Sequence, residues 1–116
     1  MYTPNQTGKI GEEIAAKYLA NKGYTVTDRN YRTRRGEIDI VAQKDGLLIF
    51  VEVKYRTTTQ LGQGTDAVNR SKKQKILNTA KAYIYEKGIS PRTGIRFDVI
   101  DIYDKEINHF ENAFRA

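Results

Sequence analysis

The chain has 116 residues, and its 20 Lys and Arg outweigh 14 Asp and Glu to give a net charge of +6. It has no cysteine, which excludes disulfides and thiolate metal sites, and its single histidine, His109, excludes a centre built from several imidazoles. Any metal would be oxygen-ligated, which favours magnesium, manganese or calcium.

The length fits a single domain spanning residues 1–116. No apolar run approaches the ~20 residues of a membrane span. The first residues, Met1 to Gln6, lack the charged-then-apolar pattern of a signal peptide. The expectation is a soluble protein of the cytoplasm.

Thr3-Pro4-Asn5-Gln6 reads as a helix start, with Thr3 as N-cap, Pro4 as first helical residue and Gln6 as capping-box partner. Ile10, Ile14, Ala15, Tyr18 and Leu19 form an apolar stripe at helical spacing, and Gly23 ends the helix as a left-handed cap. Gly8 and Gly11 are costly inside it, and close approach of another segment or simple tolerance would account for them. Tyr24 to Asp28 alternates as a strand, and Asn30 to Arg35 reads as a basic connection.

Residues 36–54 follow, two strand-like runs around the Asp45-Gly46 turn. Thr57 to Thr65, with two glycines and little to bury, reads as a mobile loop. A second helix starts near Asp66 to Ser71 and runs to about Glu86, with Ile76, Leu77, Ala80, Tyr83 and Ile84 inward and Gly88 as cap. Ser90 to Gly94 is a turn, Ile95 to Ile102 a buried strand, Glu106 to Phe110 a short last strand, and Asn112 to Ala116 a tail. The order is α-β-β-β-α-β-β, an α/β fold with a mixed sheet flanked by helices.

The hairpin carries the chemistry. With a two-residue turn Lys44 pairs with Leu47, so Asp39 faces Glu52 and Glu37 faces Lys54; a three-residue loop would shift this by one. One face then carries Ile38, Ile40, Ala42, Leu47, Ile49, Val51 and Val53. The other carries Val41, Leu48 and Phe50, then Asp39, Glu37, Glu52 and Lys54. Glu37 opposite Lys54 is an ordinary ion pair. Asp39 opposite Glu52 is not, because directly opposed like charges repel and strand interiors disfavour Asp. A cation between them removes the conflict. Asp39 and Glu52 would be its hard oxygen ligands, with the carbonyl of Val53 a further one, and the cofactor would be Mg2+ or Mn2+. Lys54, two residues along the same strand face, could deprotonate or orient a water or stabilise charge on a phosphate.

Basic clusters bracket this pair and point to a polyanion such as DNA. Arg34 and Arg35 precede it, Arg56 follows, and Lys72 and Lys75 open the second helix, all candidates for phosphate contacts. Tyr31 could stack on a base or simply pack at a sheet edge. Asp98 reads as a structural ion-pair partner of Arg96 or of an arginine near the hairpin, and His109 as structural or exposed.

An acidic residue on one strand followed by Glu-x-Lys on the next resembles the PD-(D/E)xK nuclease motif. Restriction endonucleases and archaeal Holliday-junction resolvases carry that motif on an αβββαβ core. Five blocks extend the match: Gly8-Lys9-Ile10-Gly11-Glu12, Gly36-Glu37-Ile38-Asp39, Phe50-Val51-Glu52-Val53-Lys54, Ser71-Lys72 with Lys75, and Arg96-Phe97-Asp98-Val99. Together they resemble the bacterial YraN-like proteins of uncharacterised family 0102, described as predicted endonucleases. The resemblance implies a restriction-endonuclease-like core and a metal-dependent DNA endonuclease, with branched or damaged DNA as substrate. It implies Asp39 and Glu52 as metal ligands and Lys54 as catalytic lysine. It further implies that Glu12 joins the site from the first helix, with Glu13 the competing candidate, and it makes a homodimer conceivable. The one departure is Ile38 where the nuclease signature has Pro. Two other functions fit the same residues: a non-catalytic nucleic-acid-binding module on a nuclease fold, and a protein-interaction domain whose carboxylates are structural.

Overall fold

The computed structural model describes residues 4–56 and 70–115, with only the backbone of residues 4–7. The Thr3 cap, the Gln6 side chain, the loop at residues 57–65 and a helix start at residues 66–69 lie outside the described residues. Two helices and five strands follow the expected order: α1 (Pro4–Asn21), β1 (Thr25–Thr33), β2 (Gly36–Lys44), β3 (Leu47–Arg56), α2 (Arg70–Glu86), β4 (Gly94–Tyr103) and β5 (Glu106–Phe114). They form one five-stranded sheet in the order β1-β2-β3-β4-β5. β3 and β4 run parallel and the other neighbours antiparallel. The chain is thus an α/β fold with a mixed sheet between helices, as an αβββαβ core requires.

Local signals explain the helix ends. Pro4 opens α1. Gly23 closes it at φ 91°, where Tyr24 N–H donates to Leu19 O at 3.0 Å, and Gly88 ends α2 at φ 63°, with Ile89 N–H on Ile84 O at 3.0 Å. The two glycines within α1 differ. A Cβ on Gly11 would stand 2.5 Å from Tyr55 Cβ, whereas one on Gly8 would meet nothing. Gly11 therefore sets how closely α1 approaches β3. Gly11→Ala is expected to cost about 1–3 kcal/mol of overpacking, read as a lower urea midpoint, while Gly8→Ala leaves the midpoint unchanged or slightly higher.

Each face of the sheet has its own core. Ala15 and Leu19 of α1 pack on Ile40, Ala42, Ile49, Val51, Ile100 and Ile102. Ile76, Ala80 and Tyr83 of α2 pack on Ile38, Val41, Leu48, Phe50, Val99 and Phe114. Ile38 and Ile40, expected on one face, thus lie in opposite cores. The reason is a fork in the sheet. The β2–β3 ladder has the expected register from Lys44↔Leu47 to Ile40↔Val51 and runs no further. Beyond it β2 stays paired with β1 to Gly36, and β3 with β4 to Arg56. The strands part at Asp39, and the alternation of β2 breaks there.

Two other expectations are corrected. Asn30 to Thr33 is not a connection but the second half of β1, paired with residues 36–38 of β2. A register shift between Val26 and Asp28, and the left-handed Asn30 at φ 54°, interrupt the period of two that marks a strand. Likewise residues 112–114 are not tail. Asn112 sits at φ 54°, its N–H donates to Asp98, and β5 continues so that buried Phe114 stacks on Phe97 at 5.1 Å.

Candidate active site

The fork opens a cavity of about 650 Å3. Gly8 and Glu12 reach it from α1, Gly36, Glu37 and Asp39 from β2, Glu52, Val53 and Tyr55 from β3, and Lys72, Lys75 and Ile76 from α2. Residues from both faces of β3 line it because the gap between two parted strands is open to both helices.

Asp39 is pinned at the fork. Parting from β2 would leave the Val53 N–H without a ladder partner, and the Asp39 carboxylate accepts it at 2.8 Å. Burial and the adjoining Glu52 carboxyl push the Asp39 pKa up to about 8. The opposed carboxylates foreseen from the register are therefore close enough to interact, and a proton on Asp39 relieves their repulsion at neutral pH. Glu52 is buried, and its Oε2 meets Lys72 Nζ at 3.4 Å.

Lys54 does not line the cavity, but it lies close enough to Lys72, Glu52 and Asp39 to be perturbed by all three. Burial and the neighbouring Lys72 ammonium push its amine below the ordinary lysine value. Burial also opposes the charge of Lys72, yet the Lys54 amine and the Glu52 carboxylate outweigh it and hold the Lys72 ammonium above the ordinary value. Of two adjacent amines, Lys72 keeps its charge and Lys54 is biased toward the neutral form.

Glu12 and Glu13 point in different directions. Glu13 is exposed and pairs with Arg29 at 3.1 Å, outside the cavity. Glu12 faces the cavity, and its Oε1 is buried with no hydrogen-bond partner among the described residues. Burial raises the Glu12 pKa against a hydrogen bond from Asn30, and the charges of Asp39 and Glu37 raise it further. Asn30, which touches Glu12 from outside the cavity lining, was not singled out by the sequence reading. Its signal was an Asn in a basic stretch, a residue type that readily takes the left-handed conformation it has here.

Other expected residues are placed differently. Glu37 pairs not with Lys54 but across the β1–β2 ladder with Arg32, at 2.7 Å, because the fork has removed Lys54 from opposite it. Arg56 is half-buried and holds Asp101 at 2.8 Å, with its guanidinium 5.4 Å from the Tyr103 ring, and it does not line the cavity. Tyr31 packs edge-on against Tyr83 and donates to Glu86 at 2.8 Å. Arg34 and Arg35 are exposed in the β1–β2 turn, next to the cavity residues Gly36 and Glu37. Asp98 is fully buried and bonded to Arg96, as expected of an ion-pair partner.

Two acidic side chains and the Val53 backbone thus meet at the fork. Among the described residues no group of three acidic or histidine side chains is gathered closely enough to hold a metal ion on its own. Nor, among them, is any helix long and apolar enough to cross a membrane.

Comparison with known proteins gives one consistent result. The model of the uncharacterised protein family UPF0102 matches residues 11–102, which include Glu12, Asp39, Glu52, Lys54 and Lys72. A UPF0102 protein of Lachnoclostridium phytofermentans is 46% identical over 109 residues, covering 94% of this chain and 92% of its own length. One from Alkaliphilus oremlandii is 45% identical over 112 residues, covering 92% and 96%. One from Persephonella marina is 40% identical over 107 residues, covering 92% and 91%.

Proposed function

The chain belongs to the uncharacterised protein family UPF0102, and from that premise we propose that it is a Mg2+- or Mn2+-dependent endonuclease that hydrolyses phosphodiester bonds in DNA, with branched or damaged DNA as its substrate. The observation that carries this reading is the adjoining Asp39 and Glu52 carboxyls at the fork, half-buried and buried, beside two lysines. Structural carboxylates would be paired with cations on both sides. Here two of them share one site, and a third acceptor, Glu12 Oε1, lies buried in the same cavity with no hydrogen-bond partner among the described residues.

The donor set suits a hard cation. Asp39, Glu52 and the Val53 carbonyl would hold it, since magnesium usually takes only one or two protein carboxylates and keeps waters and substrate oxygens for the rest. Such an ion, when bound, lowers the pKa of a water and polarises a phosphoryl oxygen. The remaining work falls to the chain. The Val53 N–H fixes the Asp39 carboxylate in orientation. Lys54, biased toward its neutral amine, can accept a proton from an attacking water. The Lys72 and Lys75 ammonium groups give the cavity wall the charge that a scissile phosphate needs. The exposed Arg34 and Arg35 can contact neighbouring phosphates, an interaction that is salt-dependent and blind to sequence.

The test is incubation with supercoiled, single-stranded and four-way-junction DNA, with and without Mn2+. The expected result is cleavage that needs the metal and falls at least about 100-fold in Lys54→Ala, as loss of a general base does. Undiminished cleavage in Lys54→Ala or Asp39→Asn would overturn the assignment. The non-catalytic reading draws on the absence of a three-carboxylate group among the described residues. It predicts salt-sensitive DNA binding without cleavage, little changed by Lys54→Ala.

A further inference from the structure

Lys72 stands in an unexpected place for a residue that contacts phosphate. It belongs to the first turn of α2, yet its ammonium turns inward onto Glu52 Oε2 at 3.4 Å. Glu52 is buried, with a side-chain exposure of 9%, while that of Lys72 is 37%. The partner of the more enclosed carboxylate at the fork is thus a long, partly exposed side chain that also lines the cavity. Its counterpart Lys75, about one helical turn on, also lines the cavity, but among the described residues the ion pair of Glu52 is with Lys72.

We propose that Lys72 is a positioning residue that serves as a built-in counter-ion for Glu52 and competes with the divalent cation for that carboxylate. This rests on the metal-site reading above. A lysine is suited to the exchange. Its ammonium is a compact charge on a four-carbon stem, so it can leave Glu52 by rotating about its own bonds, without movement of α2. Without metal it is the cationic partner of a buried carboxylate, which protects the fold. Once displaced, it keeps its charge on the wall of the same cavity, where an incoming phosphate would take it up. The neutralising cation of the empty site and the phosphate-binding cation of the loaded one are then a single residue.

The consequence is measurable without any turnover. Mn2+ binding to the full chain is followed by calorimetry and by the shift of the melting midpoint in wild type, Lys72→Met, Lys72→Arg and Lys75→Met, with Asp39→Asn as the metal-site control. Removal of the competitor is expected to tighten Mn2+ binding about tenfold or more in Lys72→Met, the worth of one charge-assisted contact. Lys72→Arg keeps a cation on Glu52 and stays near wild type. Lys75→Met removes an equal charge from the same cavity and changes affinity by less than about threefold, which separates a specific competition from a general field. If Lys72→Met does not fold, Lys72→Gln serves in its place, with the same expectation. Affinity unchanged or weakened in Lys72→Met, or tightened equally in Lys75→Met, overturns the proposal while leaving the metal site standing if Asp39→Asn abolishes binding. Absence of Mn2+ binding in wild type and Lys72→Met alike overturns both.

Discussion

Asp98→Asn is expected to lower the stability of this protein by about 3–5 kcal/mol, the usual consequence of removing one partner from a buried ion pair. For a domain of this size that corresponds to a fall in melting temperature of about 12–20 °C. Asp98 has no solvent exposure and four donors: Arg96 Nε and Nη2 at 2.9 and 2.8 Å, the His109 ring at 2.7 Å, and the Asn112 N–H at 3.0 Å. The network extends through Arg96 to the Tyr24 hydroxyl at 2.7 Å, and through the other His109 nitrogen to Tyr18 at 3.2 Å. It therefore ties α1, β4 and β5 together and fixes the bulge that seats Phe114. An amide in place of the carboxylate leaves the Arg96 guanidinium without its bidentate partner. Burial works against the Asp98 charge, but His109, Arg96 and the Asn112 N–H outweigh it and hold the carboxyl below the ordinary range. A depressed carboxyl stabilises the fold above its unfolded pKa and loses that contribution as pH falls toward the folded value. Acid melting should accordingly be shallower in Asp98→Asn than in wild type.

The second large effect has the opposite sign. Asp39→Asn is expected to raise the melting temperature of the metal-free protein by about 4–8 °C, from relief of about 1–2 kcal/mol of repulsion and desolvation. The amide can still accept the Val53 N–H and can donate to the adjoining Glu52 carboxylate, with no proton needed on residue 39. The pH dependence follows from the raised pKa. Between the ordinary carboxylate value of 3.8 and about 8, folded Asp39 holds a proton that the unfolded chain has released. Stability is then lost as pH rises through that window. The gap between Asp39→Asn and wild type should widen from pH 5 to pH 8. A site residue whose removal strengthens the fold is what a binding site under electrostatic strain predicts. A drop in melting temperature would mean that Asp39 is an ordinary structural carboxylate.

What the sequence disclosed was local. The Asp-Gly turn set the hairpin register, so the meeting of Asp39 and Glu52 followed by counting, and Gly23 and Gly88 marked the helix ends by their left-handed caps. What it concealed depended on breaks in periodicity and on distant partners. The register shift between Val26 and Asp28, the left-handed Asn30 and the irregularity at Asn112 interrupted alternation, so half of β1 looked like a connection and the end of β5 like a tail. The fork at Asp39 broke the face assignment of Ile38, and no pattern within one strand announces where two strands will part. Lys54 lost Glu37 for the same reason. That Lys72 meets Glu52 required α2 to be docked, because the two residues are brought together only by packing across the sheet.

The central claim is that the Asp39–Glu52 pair is a cation site, and the most direct measurement is Mn2+ calorimetry on the wild-type chain in two buffers of different ionisation enthalpy. With its pKa raised to about 8, Asp39 holds at pH 7 a proton that a bound cation must expel, so binding should release about one proton, and the observed heat should differ between the buffers accordingly. No binding heat in either buffer, or binding that persists unchanged in Asp39→Asn, would contradict it.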